Sequence, residues 1–155
     1  MKDGYTLAEL LIVMAIVLIL ALVSLANFVS RRNTSELTTT AAEMAGLLRE
    51  AQSRSVAQSS STSWGVHFDN GANGATPYFV LFAGQFGTSS NAGYYPLPAY
   101  VGYVTSSIPA GSYAEVTFSE ISGIASGSSS IVIDLLQNPQ ASSTLSIASS
   151  GAVSY

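Results

Sequence analysis

The chain has 155 residues, a formal net charge of −4 and no cysteine, which leaves room for an apolar helix and one head of about 100 residues but not for two globular domains. Charged residues make up 9% of it and hydrophobic residues 48%, and without cysteine there is neither a disulfide nor a thiolate metal site. All five basic residues, Lys2, Arg31, Arg32, Arg49 and Arg54, precede Ser55, while Asp69, Glu115, Glu120 and Asp134 follow it, so the anionic remainder argues against nucleic acid as a partner.

Leu10 to Ala26 reads LLIVMAIVLILALVSLA, with Ser24 its one polar residue. At about 1.5 Å per residue such a run roughly matches a thin bilayer core, and it predicts a membrane helix. Lys2 places the N-terminus on the cytoplasmic side. Glu9 stands inside the apolar flank, where an unpaired charge costs a few kcal/mol, so this carboxylate calls for a partner.

The string Gly4-Tyr5-Thr6-Leu7-Ala8-Glu9-Leu10-Leu11-Ile12-Val13 resembles the type IV prepilin signature: a Gly, an aromatic, a Thr-Leu pair and a Glu before an unbroken apolar stretch. The resemblance implies cleavage by prepilin peptidase between Gly4 and Tyr5, N-methylation of Tyr5, and a role for Glu9 in subunit assembly, where it neutralises the terminal amine of a neighbouring subunit. The charges agree with that role, since an ammonium on Tyr5 and a carboxylate on Glu9 are expensive apart and much cheaper together. The four-residue leader is short, Ala8 stands where a larger aliphatic is common, and no proline occurs before Pro77. An ordinary secretory signal cut after Ser24-Leu25-Ala26 is the competing reading, but it leaves the Gly-Tyr-Thr-Leu-Ala-Glu string unexplained.

Beyond Arg31 and Arg32, Leu37, Ala41, Met44, Leu48 and Ala51 recur at helical spacing, predicting one helix from about Thr6 to about Ala57 with an amphipathic second half. Glu50 and Arg54 are spaced for a surface pair. The Ser-rich run from Gln58 to Ser63 marks the exit. Strands are predicted over Trp64–Phe68, Tyr78–Phe82, Tyr100–Thr105, Ala114–Phe118, Ser130–Leu135, Leu145–Ala148 and Ala152–Tyr155. Asn70–Thr76 reads as a turn, and Phe86–Pro98 as a loop without regular structure. Short connections favour antiparallel pairing, in a sheet that wraps or packs on the helix.

A second resemblance covers most of the chain. Leu47–Gln58 (LLREAQSRSVAQ), Val116-Thr117-Phe118 before Gly123, Ile131-Val132-Ile133, Leu145-Ser146-Ile147 and Gly151-Ala152-Val153 are similar to the H-type minor pilins and pseudopilins. DNA binding, known in some relatives through C-terminal basic residues, is not carried over, because those residues are missing here.

Catalytic motifs are thin. His67, the sole histidine, lies in a predicted strand before Asp69, where a surface or partly buried strand histidine accounts for it better than a triad drawn with one of many serines. Asp69–Gly74 lacks the full ligand alternation of a calcium loop and reads as a turn. Tyr94, Tyr95, Tyr100, Tyr103 and Tyr113 are first of all core and contact aromatics, with an adhesive surface as the alternative. Asn33-Thr34-Ser35 fits a glycosylation sequon.

The expectation is an α+β protein: a long N-terminal helix, apolar in its first half, packed against a C-terminal antiparallel β-sheet head, a pilin-like lollipop. Its parts are a leader (1–4), a transmembrane and filament-core helix (5–30), an amphipathic helix (31–57) and a β-rich head (58–155). The function implied is a structural subunit of a type IV pilus or related filament, not an enzyme, with no cofactor and no metal. The alternatives are a minor pilin or type II secretion pseudopilin that initiates or tips a filament, and a surface adhesin. Partners would be further copies or pilin co-subunits in a helical filament, prepilin peptidase and an inner-membrane assembly platform. The precursor would be a single-pass membrane protein with a cytoplasmic N-terminus, and the product an extracellular filament.

Overall fold

A computed structural model describes residues 6–87 and 90–155, with the side chains of residues 23–30 and of Asn73 outside the description. It divides into two compact units, residues 1–34 and 35–155. Helix α1 (Leu7–Val56) contains 50 residues, in agreement with the predicted span. Thr6 caps its start: the Thr6 hydroxyl accepts the Glu9 N–H at 3.3 Å, and the Glu9 carboxylate accepts the Thr6 N–H at 3.4 Å. This reciprocal pair is a capping box, which satisfies two backbone donors that the helix leaves open. Left-handed residues at Gln58, Ser60 and Ser61 end the helical path. The turn back is fixed by the buried Ser55 hydroxyl, which accepts the Trp64 N–H at 2.7 Å, and by the Trp64 indole, which donates to the Ser59 carbonyl at 2.8 Å. Arg54 pairs with Glu50 as predicted and lies 4.5 Å from the Trp64 ring centre.

Eight strands follow: β1 (Trp64–Asp69), β2 (Tyr78–Ala83), β3 (Asn91–Pro96), β4 (Val101–Tyr103), β5 (Tyr113–Phe118), β6 (Ser129–Leu135), β7 (Asn138–Ile147) and β8 (Val153–Ser154). They divide between two four-stranded antiparallel sheets, ordered β3-β2-β1-β5 and β4-β6-β7-β8. The predicted helix positions Leu37, Ala41, Met44, Leu48 and Ala51 are all buried, in one core with Trp64, Val66 and Phe68 of β1, Val116 and Phe118 of β5, and Ile131, Ile133, Leu145 and Ile147 of β6 and β7. Two expectations need correction. Residues 91–96, read as loop, form edge strand β3, and the strand expected from Leu145 begins at Asn138.

The far face of β1 holds a second, smaller core, since side chains alternate between faces along a strand. His67, Val80 and Phe82 are buried there. The His67 ring stacks on Phe86 with centres 3.6 Å apart, and Phe86 meets Phe82 edge-on. His67 is therefore 2% exposed, not the surface or partly buried residue expected from sequence.

The β5–β6 connection carries backbone strain. The Ser122 N–H donates to the Glu120 carbonyl at 2.6 Å around Ile121, whose φ is +65°. This is the positive-φ form of the γ-turn, uncommon in any residue and disfavoured further by a branched Cβ. Glycine tolerates that φ, so Ile121→Gly is expected to gain about 1 kcal/mol, from strain relief of ~1–3 less a chain-entropy cost of ~0.5–1. A urea titration of the two chains would check it.

Tyr103 is buried and its hydroxyl donates to the Tyr78 carbonyl at 3.2 Å. Burial, and then the Asp69 charge, push its pKa well up, and the same two causes raise that of Tyr78. In the unfolded chain both ionise near the ordinary value of about 10. Their contribution is therefore present in full below about pH 10 and is lost as the pH rises beyond it, because the unfolded state sheds protons that the native state keeps. Urea midpoints at pH 9 and pH 11 are expected to fall in that order.

Candidate assembly site

The first turns of α1 concentrate what the sequence marks as functional. Glu9 sits in the first turn with its carboxylate exposed, held loosely by the Thr6 backbone and hydroxyl at 3.4 and 3.5 Å. A carboxylate at a helix N-terminus faces the positive end of the helix dipole. Gly4 and Tyr5 lie outside the described residues. The Thr6–Glu9 capping box went unread in the sequence, although the pattern Thr-x-x-Glu before an apolar run is its recognised signal.

Every large apolar side chain from Leu10 to Leu22 is exposed, by 53 to 67%. Their run along successive turns surrounds the helix instead of forming one stripe, and a helix apolar all round needs lipid or other helices about it. Among the described residues no helix is long and apolar enough to cross a membrane. The apolar run of the sequence continues into residues 23–30, whose side chains lie outside the description. Arg31, Arg32 and Glu43 are exposed, whereas Asn33 of the sequon is 9% exposed, which leaves its amide little accessible to a glycosyl donor.

The other candidate positions do not assemble into a site for chemistry. His67 Nδ1 lies 2.9 Å from Glu115 Oε1 and Nε2 lies 3.7 Å from Asp69 Oδ2, so its neighbours are carboxylates, and among the described residues no serine hydroxyl shares a hydrogen bond with it. Asp69 is itself engaged, Oδ1 accepting the Gly71 N–H at 2.8 Å and Oδ2 the Tyr78 hydroxyl at 3.3 Å. The first of these is an Asx-turn, the local chemistry of a plain reversal. Of the tyrosines singled out, Tyr103 is core, Tyr95 stacks on Phe79, Tyr94 lies tilted against Tyr78 with ring centres 4.9 Å apart, and Tyr113 covers His67 at 5.0 Å.

Residues 1–25 match the family model described as the prokaryotic N-terminal methylation motif. No curated protein matches the chain significantly. Among solved structures, the fold is similar to that of the type IV minor pilin FimU of Pseudomonas aeruginosa in two crystal forms. One matches with a TM-score of 0.53 and 14% identity, over 76% of this chain and 90% of that one. The other matches with a TM-score of 0.53 and 19% identity, over 77% and 87%.

Proposed function

We propose that the chain is a type IV pilin, a structural subunit of a type IV pilus or related filament, because it carries the N-terminal methylation motif and its fold is similar to that of a type IV minor pilin. One observation carries the reading: a helix bare of cover from Leu10 to Leu22, with a single carboxylate, Glu9, at its start. In this reading residues 1–4 are a leader that prepilin peptidase removes, and Tyr5 becomes the methylated N-terminus. Residues 5–30 anchor the precursor in the membrane as a single span and then form the filament core, 31–57 continue the helix, and 58–155 make the exposed head. The role is architectural, not catalytic. Transfer from lipid to a helical filament exchanges one apolar surrounding for another, so packing and charge pairing must drive it. That small difference is why an inner-membrane assembly platform belongs in the scheme.

The test is the mass and N-terminal sequence of the protein from native membranes and from sheared surface material. A chain beginning at methylated Tyr5 and present in the sheared fraction is expected. A chain beginning at Asn27 would overturn the reading in favour of a secreted β domain. A second reading, a minor subunit that starts or tips a fibre of another protein, is favoured by the likeness to a minor pilin head. It predicts a trace amount in the sheared fraction and loss of all fibres when the gene is deleted.

A further inference from the structure

The two ring nitrogens of His67 are served unequally. Nδ1 lies 2.9 Å from Glu115 Oε1 of β5, so it carries a proton and donates to that carboxylate. Nε2 is buried and, among the described residues, has no hydrogen-bond partner. It lies 3.7 Å from Asp69 Oδ2. In a neutral ring this nitrogen is a buried lone pair beside a carboxylate, which costs stability. A second proton reverses that: Nε2 becomes a donor, and the ring becomes a cation with a carboxylate near each nitrogen. The remaining neighbours suit a cation as well. Phe86, in the loop after β2, stacks on the ring at 3.6 Å with the planes 2° apart, and Tyr113 of β5 stacks at 5.0 Å. Aromatic faces favour positive charge laid against them. Tyr78 of β2, tilted at 6.2 Å, donates its hydroxyl to the same Asp69 oxygen. Arg49 and Arg54, the two basic residues beyond residue 34, are engaged elsewhere, at the Val153 carbonyl and at Glu50.

We propose that His67 is a proton-operated clasp: the folded head takes a second proton at Nε2 without opening, and the imidazolium so formed holds β1, β5 and the Phe86 loop together. A buried neutral histidine that must charge is ordinarily a route to acid unfolding. Here the incoming proton adds a contact to Asp69 and makes the one to Glu115 charge-assisted at both ends. Mild acid therefore keeps the Phe86 loop seated on the sheet instead of releasing it.

The sole histidine makes the test direct. The whole chain in detergent, carrying isotope-labelled histidine, is followed by ring-nitrogen NMR and by urea titration at pH 8 and pH 5.5. At pH 8 the folded chain is expected to hold the tautomer protonated at Nδ1 alone. At pH 5.5 both nitrogens are expected to carry protons with the head still folded, and the urea midpoint should be no lower than at pH 8. Asp69→Asn keeps an oxygen for the Asx-turn to Gly71, and Glu115→Gln keeps an acceptor for Nδ1, yet each removes one charge. In either variant the midpoint is expected to fall by about half a molar over the same pH step. Four results would each overturn the proposal: a ring that stays neutral at pH 5.5 in the folded chain, a neutral form protonated at Nε2, a wild-type midpoint that drops on acidification, or variants that respond to pH as the wild type does. Should a variant fail to fold, the wild-type ring signals decide by themselves.

Discussion

A Glu9→Leu chain is expected to insert, be processed and fold its head normally, yet to yield filaments at roughly one hundredth of the wild-type level. The head should be indifferent, because Glu9 lies in the first compact unit and, among the described residues, its side chain bonds to Thr6 alone. Insertion should improve if anything, since leucine removes a charge that costs about 2.5–3.5 kcal/mol at mid-bilayer. On the filament reading proposed above, assembly is what suffers: leader removal would create an ammonium, and without the Glu9 carboxylate that cation would be buried unpaired at about 3–5 kcal/mol, or two orders of magnitude and more in an equilibrium. Glu9→Gln separates the two roles of this residue. Glutamine serves as well in a capping box, so a chain that fails as completely as Glu9→Leu assigns the defect to charge. Recovery of filaments with glutamine would assign it to the helix start instead, where Thr6→Ala should then cause a comparable loss. Filament yield from sheared cells, set beside thermal melts of the same proteins, reads both.

The sequence exposes some of this organisation more readily than the rest, for physical reasons. Leu37, Ala41, Met44, Leu48 and Ala51 were readable as a buried face because helix periodicity is written within a few residues of itself. Strand β3 has no such signature: Asn91–Pro96 is exposed at five of its six positions, contains Gly93 and Pro96, and exists because β2 offers it a ladder. It is an edge strand, where proline and exposed tyrosines are tolerated. The polar start of β7 is likewise held by its pairing with β6. The burial of His67 depends on Phe86 and Glu115, 19 and 48 residues away, and no local pattern reports such distant cover. At the N-terminus the prepilin string was legible as a motif, but its capping geometry became apparent only with coordinates. Ile121 gave no signal at all, since an isoleucine with positive φ contradicts every local preference.

Gly151→Ala is expected to destabilise the head by about 2–4 kcal/mol. Gly123 and Gly151 stood out in the sequence as part of a family likeness, without a physical reason. The structure supplies one. Both have positive φ, +63° and +88°, and both lie against Gln52 of α1, which donates to the Gly123 carbonyl at 3.0 Å. A Cβ on Gly151 would stand 2.2 Å from Gln52 Nε2 and 2.4 Å from the Gly123 carbonyl oxygen. A side chain can swing away, but the carbonyl belongs to the backbone, so the turn before β8 must lift off the helix. Nearby, Arg49 donates to the Val153 carbonyl at 3.1 Å, and that bond would be strained by the same movement. Gln52→Ala alone should cost about 1–2 kcal/mol through the carbonyl left unpaired. In the double variant the nitrogen clash is gone while the carbonyl clash remains, so the combined loss should be smaller than the sum of the single losses. Urea midpoints at constant m-value for the four chains close the cycle. Strict additivity would mean that Gln52 and Gly151 do not share a contact, and the helix would then have to hold the C-terminal strand through Arg49.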